Sequence, residues 1–110
     1  NYYRQGLEKV KGISFFATNT EATNNFAYFP IIIEDDYGIT RDEIYDKFHE
    51  SNIYARKYFY PITADQACFR NKYKNNKLDV ARYISQRVLI LPFYEKMQIG
   101  TIDTIIQILR

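Results

Sequence analysis

The most suggestive chemistry in this 110-residue chain lies in the run RKYFYP at positions 56–61. In an extended strand, side chains alternate between two faces, so the run predicts Arg56, Tyr58 and Tyr60 on one face. A guanidinium offers paired donors that match phosphate or carboxylate, and phenols stack on a base or sugar while donating a hydrogen bond. The residues alone leave two interpretations open: a ligand-binding ridge, or a half-buried strand whose arginine extends its charge into solvent.

The other reactive side chains indicate no catalytic centre. The chain has one histidine, His49, and one cysteine, Cys68. His49 lies in a predicted helix beside an apolar residue, which favours a boundary position over a catalytic base. Cys68 has apolar neighbours, which favours a buried and unreactive thiol. The four glycines are isolated, and Asp35 and Asp36 precede a glycine turn with no third ligand at a suitable spacing. We therefore predict neither a catalytic residue nor a metal site within these 110 residues.

Composition excludes several classes of protein. Fifteen basic and 13 acidic side chains give a net charge of +2, which is too small to suggest wholesale nucleic-acid binding. No apolar run reaches the roughly 18 residues that a membrane-spanning helix needs. One cysteine cannot form a disulfide within the chain and fits a reducing compartment. With 46% hydrophobic residues, residues 1–110 are expected to form one domain. Together, these features predict a cytoplasmic location and neither a nucleic-acid nor a membrane partner.

The first half of the chain predicts a helix followed by two strands that flank a second helix. Helical spacing of apolar residues within 1–11 predicts the end of a helix that stops at Gly12. The β-branched and aromatic run at 26–33 predicts a strand, in which Pro30 favours an edge position or a bulge. A second strand is predicted at 54–60. The strand, helix and strand together indicate a βαβ-like or split βαβ unit.

The clearest predicted helix covers residues 40–51. Thr40 and Glu43 have the spacing of a capping box, in which each side chain satisfies a backbone donor of the first turn. Asn52 can adopt the left-handed conformation that ends a helix, and Ile53 can fold back over the last turn. This segment therefore carries its own start and stop signals.

The second half predicts a loop, a helix, a strand and a final helix. In chain order these are a loop at 70–77, a helix at 78–87 with Val80, Ala81 and Ile84 inward, a strand at 88–91 stopped by Pro92, and a helix with the apolar stripe Ile99, Ile102, Ile105, Ile106 and Leu109. The whole pattern predicts an α+β fold: a small antiparallel or mixed sheet covered by helices.

Three stretches resemble the C-terminal end of sugar aminotransferases of the DegT/DnrJ/StrS type. They are SNIYARKYFYP at 51–61, LDVARYISQRVLILPFY at 78–94 and the closing isoleucine-rich helix. The most specific parts are R-x-Y-F-Y-P and the L-P-F-Y that follows a V-L-x strand. The resemblance covers the whole chain and keeps the order of the family's elements.

This resemblance implies the small domain of a fold-type I aminotransferase, cut from a longer polypeptide. Such enzymes use pyridoxal phosphate to move an amino group from glutamate to a 3- or 4-keto-deoxyhexose linked to dTDP or UDP. The resemblance implies that the chain's own larger N-terminal domain carries the Schiff-base lysine and the cofactor. It also implies that the intact enzyme is a homodimer, and that the fragment alone binds no cofactor and is inactive. Tyr58, Tyr60 and Arg56 are the implied substrate contacts, with Tyr58 foremost.

Two alternatives from other classes share some of these features. A β-α-β order with a basic, aromatic strand is also typical of an RNA-recognition domain, in which exposed aromatic side chains stack on bases. Residues 57–60 lack the glycine of that motif, however, and Pro61 interrupts it. The other alternative is a protein-interaction module that docks through an exposed apolar face.

Overall fold

The computed structural model describes residues 2–73 and 77–110, in which five helices surround a three-stranded antiparallel sheet. The elements are α1 (Tyr2–Leu7), β1 (Ile13–Phe15), β2 (Phe29–Ile33), α2 (Arg41–Glu50), α3 (Arg70–Tyr73), α4 (Asp79–Arg87), β3 (Val88–Leu91) and α5 (Ile99–Leu109). Short 3₁₀ turns lie at Asp35–Tyr37 and Thr63–Asp65. The predicted α+β class is confirmed. None of the helices in the described ranges has the length and apolar content that crossing a bilayer requires.

The sheet has the order β1-β2-β3, and both pairs of strands are antiparallel. The free edge of β3 continues into a single antiparallel bridge, in which Arg56 and Ile90 exchange backbone hydrogen bonds of 3.0 and 2.8 Å. The strand predicted at 54–60 is therefore wrong beyond this bridge. Because β3 lies between β2 and Arg56, the predicted split βαβ unit survives in reduced form.

Pro30 lies in the central strand, so the predicted edge position is wrong. Its partner in β3 is Ile90, whose N–H and C=O both bond to Arg56 on the opposite side. Pro30 therefore occupies a non-hydrogen-bonded pair with β3, and its nitrogen faces the β1 side. There β1 has already ended at Phe15, which pairs with Ile31. The missing N–H of proline thus removes no bond from the sheet.

Helices α1, α2 and α5 cover the sheet and form the core with it. The largest fully buried side chains are Tyr3, Leu7, Ile31, Ile44, Phe48, Leu89, Leu91, Ile105 and Leu109. The stripe predicted for α5 is confirmed at Ile105, Ile106 and Leu109, whereas Ile99 in its first turn is 60% exposed. The buried Tyr3 ring satisfies its hydroxyl by donating to the carbonyl of Pro92 at 2.8 Å. This bond ties α1 to the end of β3.

The start and stop signals of α2 act as the sequence predicts. The Thr40 hydroxyl accepts from the Glu43 N–H at 3.2 Å, and the Glu43 carboxylate accepts from the Thr40 N–H at 2.6 Å. At the other end Asn52 has φ 57°, and the Ile53 N–H donates to the Phe48 carbonyl at 2.8 Å. This is a Schellman motif. The helix is therefore fixed at both ends by local contacts.

Three further predictions are corrected. Residues 70–73 form a helical turn rather than part of a loop, while the rest of that predicted loop, at 74–76, lies outside the described residues. In α4 the predicted inward residues Val80 and Ala81 are exposed, and the buried residue is Ser85. Cys68 is exposed rather than buried. Ile84, the third residue predicted inward, is half-buried, and the neighbouring Ser85 carbonyl accepts a hydrogen bond from Arg41.

Candidate functional site

Arg56 and Tyr58 lie on one wall of an open cleft of about 530 Å³. The end of β3, the residues that follow it, and Thr101 and Ile105 of α5 also line this cleft. The aromatic residues that line the cleft are Tyr28, Tyr54, Tyr58, Phe93 and Tyr94. Of the described residues that line the cleft, Arg56 is the one with a charged side chain. The cleft thus combines one cation with several aromatic surfaces.

The backbone bridge to Ile90 fixes where the Arg56 side chain begins. Its Nη1 atom donates a hydrogen bond to the Tyr58 hydroxyl, and the guanidinium carbon lies 5.4 Å from the centre of the Tyr58 ring. The hydrogen bond to Tyr58 raises the pKa of Arg56 above its ordinary value. The edge-to-face contact of Tyr28 with Tyr58, with ring centres 5.7 Å apart, adds a third member to the cluster.

Tyr60, the third predicted site residue, points elsewhere. The chain turns after Lys57, whose carbonyl accepts from the Tyr60 N–H at 3.0 Å, so the alternation of an extended strand is lost. The guanidinium of Arg41 lies 5.0 Å from the centre of the Tyr60 ring, outside the cleft lining. The predicted common face therefore unites Arg56 with Tyr58 but not with Tyr60. A substrate contact by Tyr60 stays a prediction.

Sequence reasoning missed Tyr28, Phe93 and Tyr94 as members of this site. Phe93 and Tyr94 follow Pro92 in the L-P-F-Y stretch, which carried the family resemblance but received no role. Tyr28 precedes β2, and it reaches the cleft because β2 pairs with β3. The signal for Phe93 and Tyr94 was present in the motif, whereas that for Tyr28 depends on strand pairing.

His49 lies on the surface of α2. The exposed His49 lies between two tyrosine rings, with centre distances of 4.5 Å to Tyr45 and 5.1 Å to Tyr54. His49 is thus an exposed residue of α2 that contacts two tyrosine rings, rather than the predicted boundary residue. The RNA-recognition alternative needed aromatic side chains in a row on one exposed strand, and residues 57–60 form no strand.

Comparison with known proteins assigns this chain to a family. The sequence model of the DegT/DnrJ/EryC1/StrS aminotransferase family matches residues 1–110. The chain belongs to this family, which confirms the resemblance seen in the sequence motifs.

Two relatives and one solved structure make the comparison more specific. The chain is 34% identical over 109 residues to a dTDP-4-amino-4,6-dideoxy-D-glucose transaminase of Shigella dysenteriae, covering 99% of the chain and 30% of the relative. It is 35% identical over 94 residues to an Escherichia coli enzyme of the same name, covering 84% and 25%. The fold matches DesI, crystallised in the presence of its TDP-sugar product, with a TM-score of 0.89 at 23% identity over 98% of the chain and 28% of DesI. The chain therefore spans less than a third of the length of these proteins.

Proposed function

We propose that this chain is the C-terminal small domain of a pyridoxal-phosphate-dependent aminotransferase that moves an amino group from glutamate to a nucleotide-linked keto-sugar. Family membership and the two transaminase relatives support this proposal. Because the chain spans less than a third of those relatives, we assign the Schiff-base lysine to a larger N-terminal domain. The same proposal makes the complete enzyme a cytoplasmic homodimer and the 110 residues alone inactive.

The Arg56–Tyr58 pair in the aromatic cleft carries the proposal. A nucleotide-linked sugar has an anionic diphosphate, which matches a guanidinium donor, and a base and sugar ring, which match aromatic surfaces. The Tyr58 hydroxyl accepts from Arg56, so the two groups already hold each other in place. We assign substrate contact to Arg56 and Tyr58 within the cleft. Tyr60, which is 51% exposed, is the third proposed contact.

The cleft residues of this chain lack the groups that would hold pyridoxal phosphate. The cofactor supplies an electron sink for amino transfer, and it needs a lysine for the Schiff base and an acid beside the pyridine nitrogen. The described residues that line the cleft include neither a lysine nor a carboxylate. The work proposed for this chain is therefore to bind and orient the sugar nucleotide, not to transfer protons.

The test uses the complete polypeptide that contains these residues. Arg56→Gln removes a charge-assisted hydrogen bond to substrate, worth about 1.5–3 kcal/mol, so the KM for the sugar nucleotide is expected to rise about 10- to 100-fold. Tyr58→Phe removes a neutral hydrogen bond, and the expected rise is about 3- to 10-fold. The half-reaction with glutamate, followed separately by the cofactor absorbance, is expected to keep its rate.

Arg70→Gln is the matched control, since Arg70 is exposed on α3 and does not line the cleft. It removes the same charge from the chain and is expected to leave the sugar-nucleotide KM unchanged. If Arg56→Gln and Tyr58→Phe behave like this control, the cleft does not bind the sugar nucleotide and the proposed role is wrong.

A further inference from the structure

Arg41, the first residue of α2, is charged yet only 2% exposed. Its Nη1 atom donates to the carbonyls of Ser85 and Val88 at 2.9 and 3.0 Å, which joins the end of α4 to the start of β3. Its Nε atom donates to the Asp42 carboxylate at 2.8 Å. A buried guanidinium is costly unless it is paired and hydrogen-bonded, and these contacts meet that requirement.

The same guanidinium connects to the segment that follows the Arg56 bridge. The Oδ1 atom of Asp42 that accepts from Arg41 also accepts from the Lys57 ammonium at 2.7 Å. The Lys57 ammonium lies 4.3 Å from the centre of the Tyr45 ring on α2. The Tyr60 ring covers Arg41 at 5.0 Å. Side chains on both sides of Tyr58 are therefore fastened to the start of α2.

The segment that carries the Arg56–Tyr58 pair thus has two attachments. One is the backbone bridge from Arg56 to Ile90 on β3. The other is the contact with the start of α2, through Lys57 to the pair formed by Asp42 and Arg41 and through the Tyr60 ring to Arg41. Because residues 57–60, all within the described ranges, continue no sheet ladder beyond Arg56, the second attachment supplies the constraint that a strand would otherwise give. Tyr58 lies between Lys57 and Tyr60 and has its position limited by both.

We propose that Arg41 is a positioning residue for the sugar-nucleotide cleft, acting through Asp42 and Lys57 to hold Arg56 and Tyr58 in place. The inference rests on the proposed function of the cleft. If Arg41 served only to join α4 to β3, its carbonyl contacts would suffice. The shared Asp42 oxygen and the Tyr60 ring, whose centre lies 5.0 Å from the guanidinium carbon, instead connect it to the segment that carries the site.

Steady-state kinetics of the complete enzyme tests the inference, with Lys57→Gln and Asp42→Asn to break the attachment and Arg41→Lys to remove the planar fork. A partly exposed ion pair is worth up to about 1 kcal/mol, so Lys57→Gln and Asp42→Asn are expected to raise the sugar-nucleotide KM about 2- to 5-fold. Arg41→Lys is expected to raise it further, because an ammonium cannot donate to Asp42 and to the Ser85 and Val88 carbonyls in the geometry of the guanidinium. In all three variants kcat and the glutamate half-reaction are expected to stay within about twofold of the parent enzyme.

Two matched variants separate the ion pair from general effects of charge. Lys57→Arg keeps the cation and is expected to keep the KM of the parent enzyme. Asp46→Asn removes an exposed carboxylate from the same helix, and its KM is expected to be unchanged. A rise in KM for Asp46→Asn equal to that for Asp42→Asn would overturn the inference.

A double-mutant cycle of Lys57→Gln with Tyr58→Phe distinguishes positioning from simple stabilisation. If Lys57 acts through Tyr58, the double variant is expected to change the free energy derived from KM by less than the sum of the two single variants. The reason is that Lys57→Gln has already weakened the contact that Tyr58→Phe removes. A structural role predicts additive effects, together with equal losses in both half-reactions.

If Arg41→Lys does not fold, Lys57→Gln and Asp42→Asn decide the question. If KM is unchanged in both of these variants while Arg56→Gln still raises it, the positioning role of Arg41 is rejected and the proposed function stands. If KM is unchanged in Arg56→Gln, the proposed function itself is rejected.

Discussion

At the scale of single residues, Asp42 shows how one carboxylate can serve two cations. The hydrogen bond from Lys57 is the main cause that lowers the pKa of Asp42 below its ordinary value of 3.8, and Arg41 adds to the effect. A lowered pKa in the folded state means that the unfolded chain binds the proton more tightly. The pair therefore contributes to stability above about pH 4 and loses that contribution as pH falls through the folded pKa of Asp42. With 58% of the Asp42 side chain exposed, solvent screens much of this contribution.

Removal of Lys57 is expected to return the pKa of Asp42 toward its ordinary value. The measurement is the carboxyl-carbon chemical shift of selectively labelled Asp42 against pH in Lys57→Gln and the parent protein. Lys47→Gln is the control, because it removes a charge from the exposed side of α2 and should leave the midpoint in place. The difference in the free energy of unfolding between parent and Lys57→Gln should shrink below pH 4. A midpoint that does not rise in Lys57→Gln contradicts the ion pair.

At the scale of elements, α2 is the segment whose start matters most, since Arg41 occupies its first turn. Thr40→Ala removes the side-chain acceptor for the Glu43 N–H and is expected to lower the free energy of unfolding by about 1 kcal/mol. Thr40→Ser keeps the hydroxyl and is expected to retain most of the stability. Urea denaturation of the two variants and the parent measures the difference. Equal midpoints for alanine and serine would show that the capping box does not stabilise the helix.

The contrast between α2 and the segment after it shows which structure the sequence could predict. The cap of α2 depends on Thr40 and Glu43, three residues apart, so the pattern contains all of its interaction partners. The strand predicted at 54–60 depended on pairing with distant β3, and only Arg56 finds a partner there. Lys57 and Tyr60 instead bind α2 through side chains, which no alternation of residue types reveals.

The same distinction applies to the candidate site. Arg56 and Tyr58 were found because they are neighbours in sequence and bear complementary chemistry. Tyr28 enters the cleft through the pairing of β2 with β3, a contact made across about sixty residues of chain. Arg41 has a residue type that predicts exposure, and its burial depends on carbonyls of α4 and β3. Both side chains depend on contacts that only the folded chain brings together.

At the scale of the whole molecule, shape and surface support the proposal that these residues pack against a larger neighbour. The radius of gyration is 15.3 Å, above the roughly 13 Å typical of a compact domain of this length. Large apolar side chains remain exposed near the cleft, including Tyr28 at 57%, Tyr54 at 64% and Phe59 at 76%. Such a surface is typical of a face that another domain covers.

If the larger domain holds the cofactor, as we propose, the isolated chain and the complete enzyme are expected to differ in cofactor binding and in activity. The described residues that line the cleft include neither a lysine nor a carboxylate for the cofactor, and the Schiff-base lysine is assigned by our proposal to the larger domain. Residues 1–110 alone are therefore expected neither to acquire the absorbance of bound pyridoxal phosphate nor to release α-ketoglutarate from glutamate. Spectra and product assays on the isolated chain, with the complete polypeptide measured in parallel as the positive control, test this expectation. Circular dichroism first establishes that the isolated chain is folded. Cofactor absorbance or α-ketoglutarate release by the folded isolated chain would place a cofactor-binding lysine within these residues and contradict the assignment of the Schiff-base lysine to a larger domain.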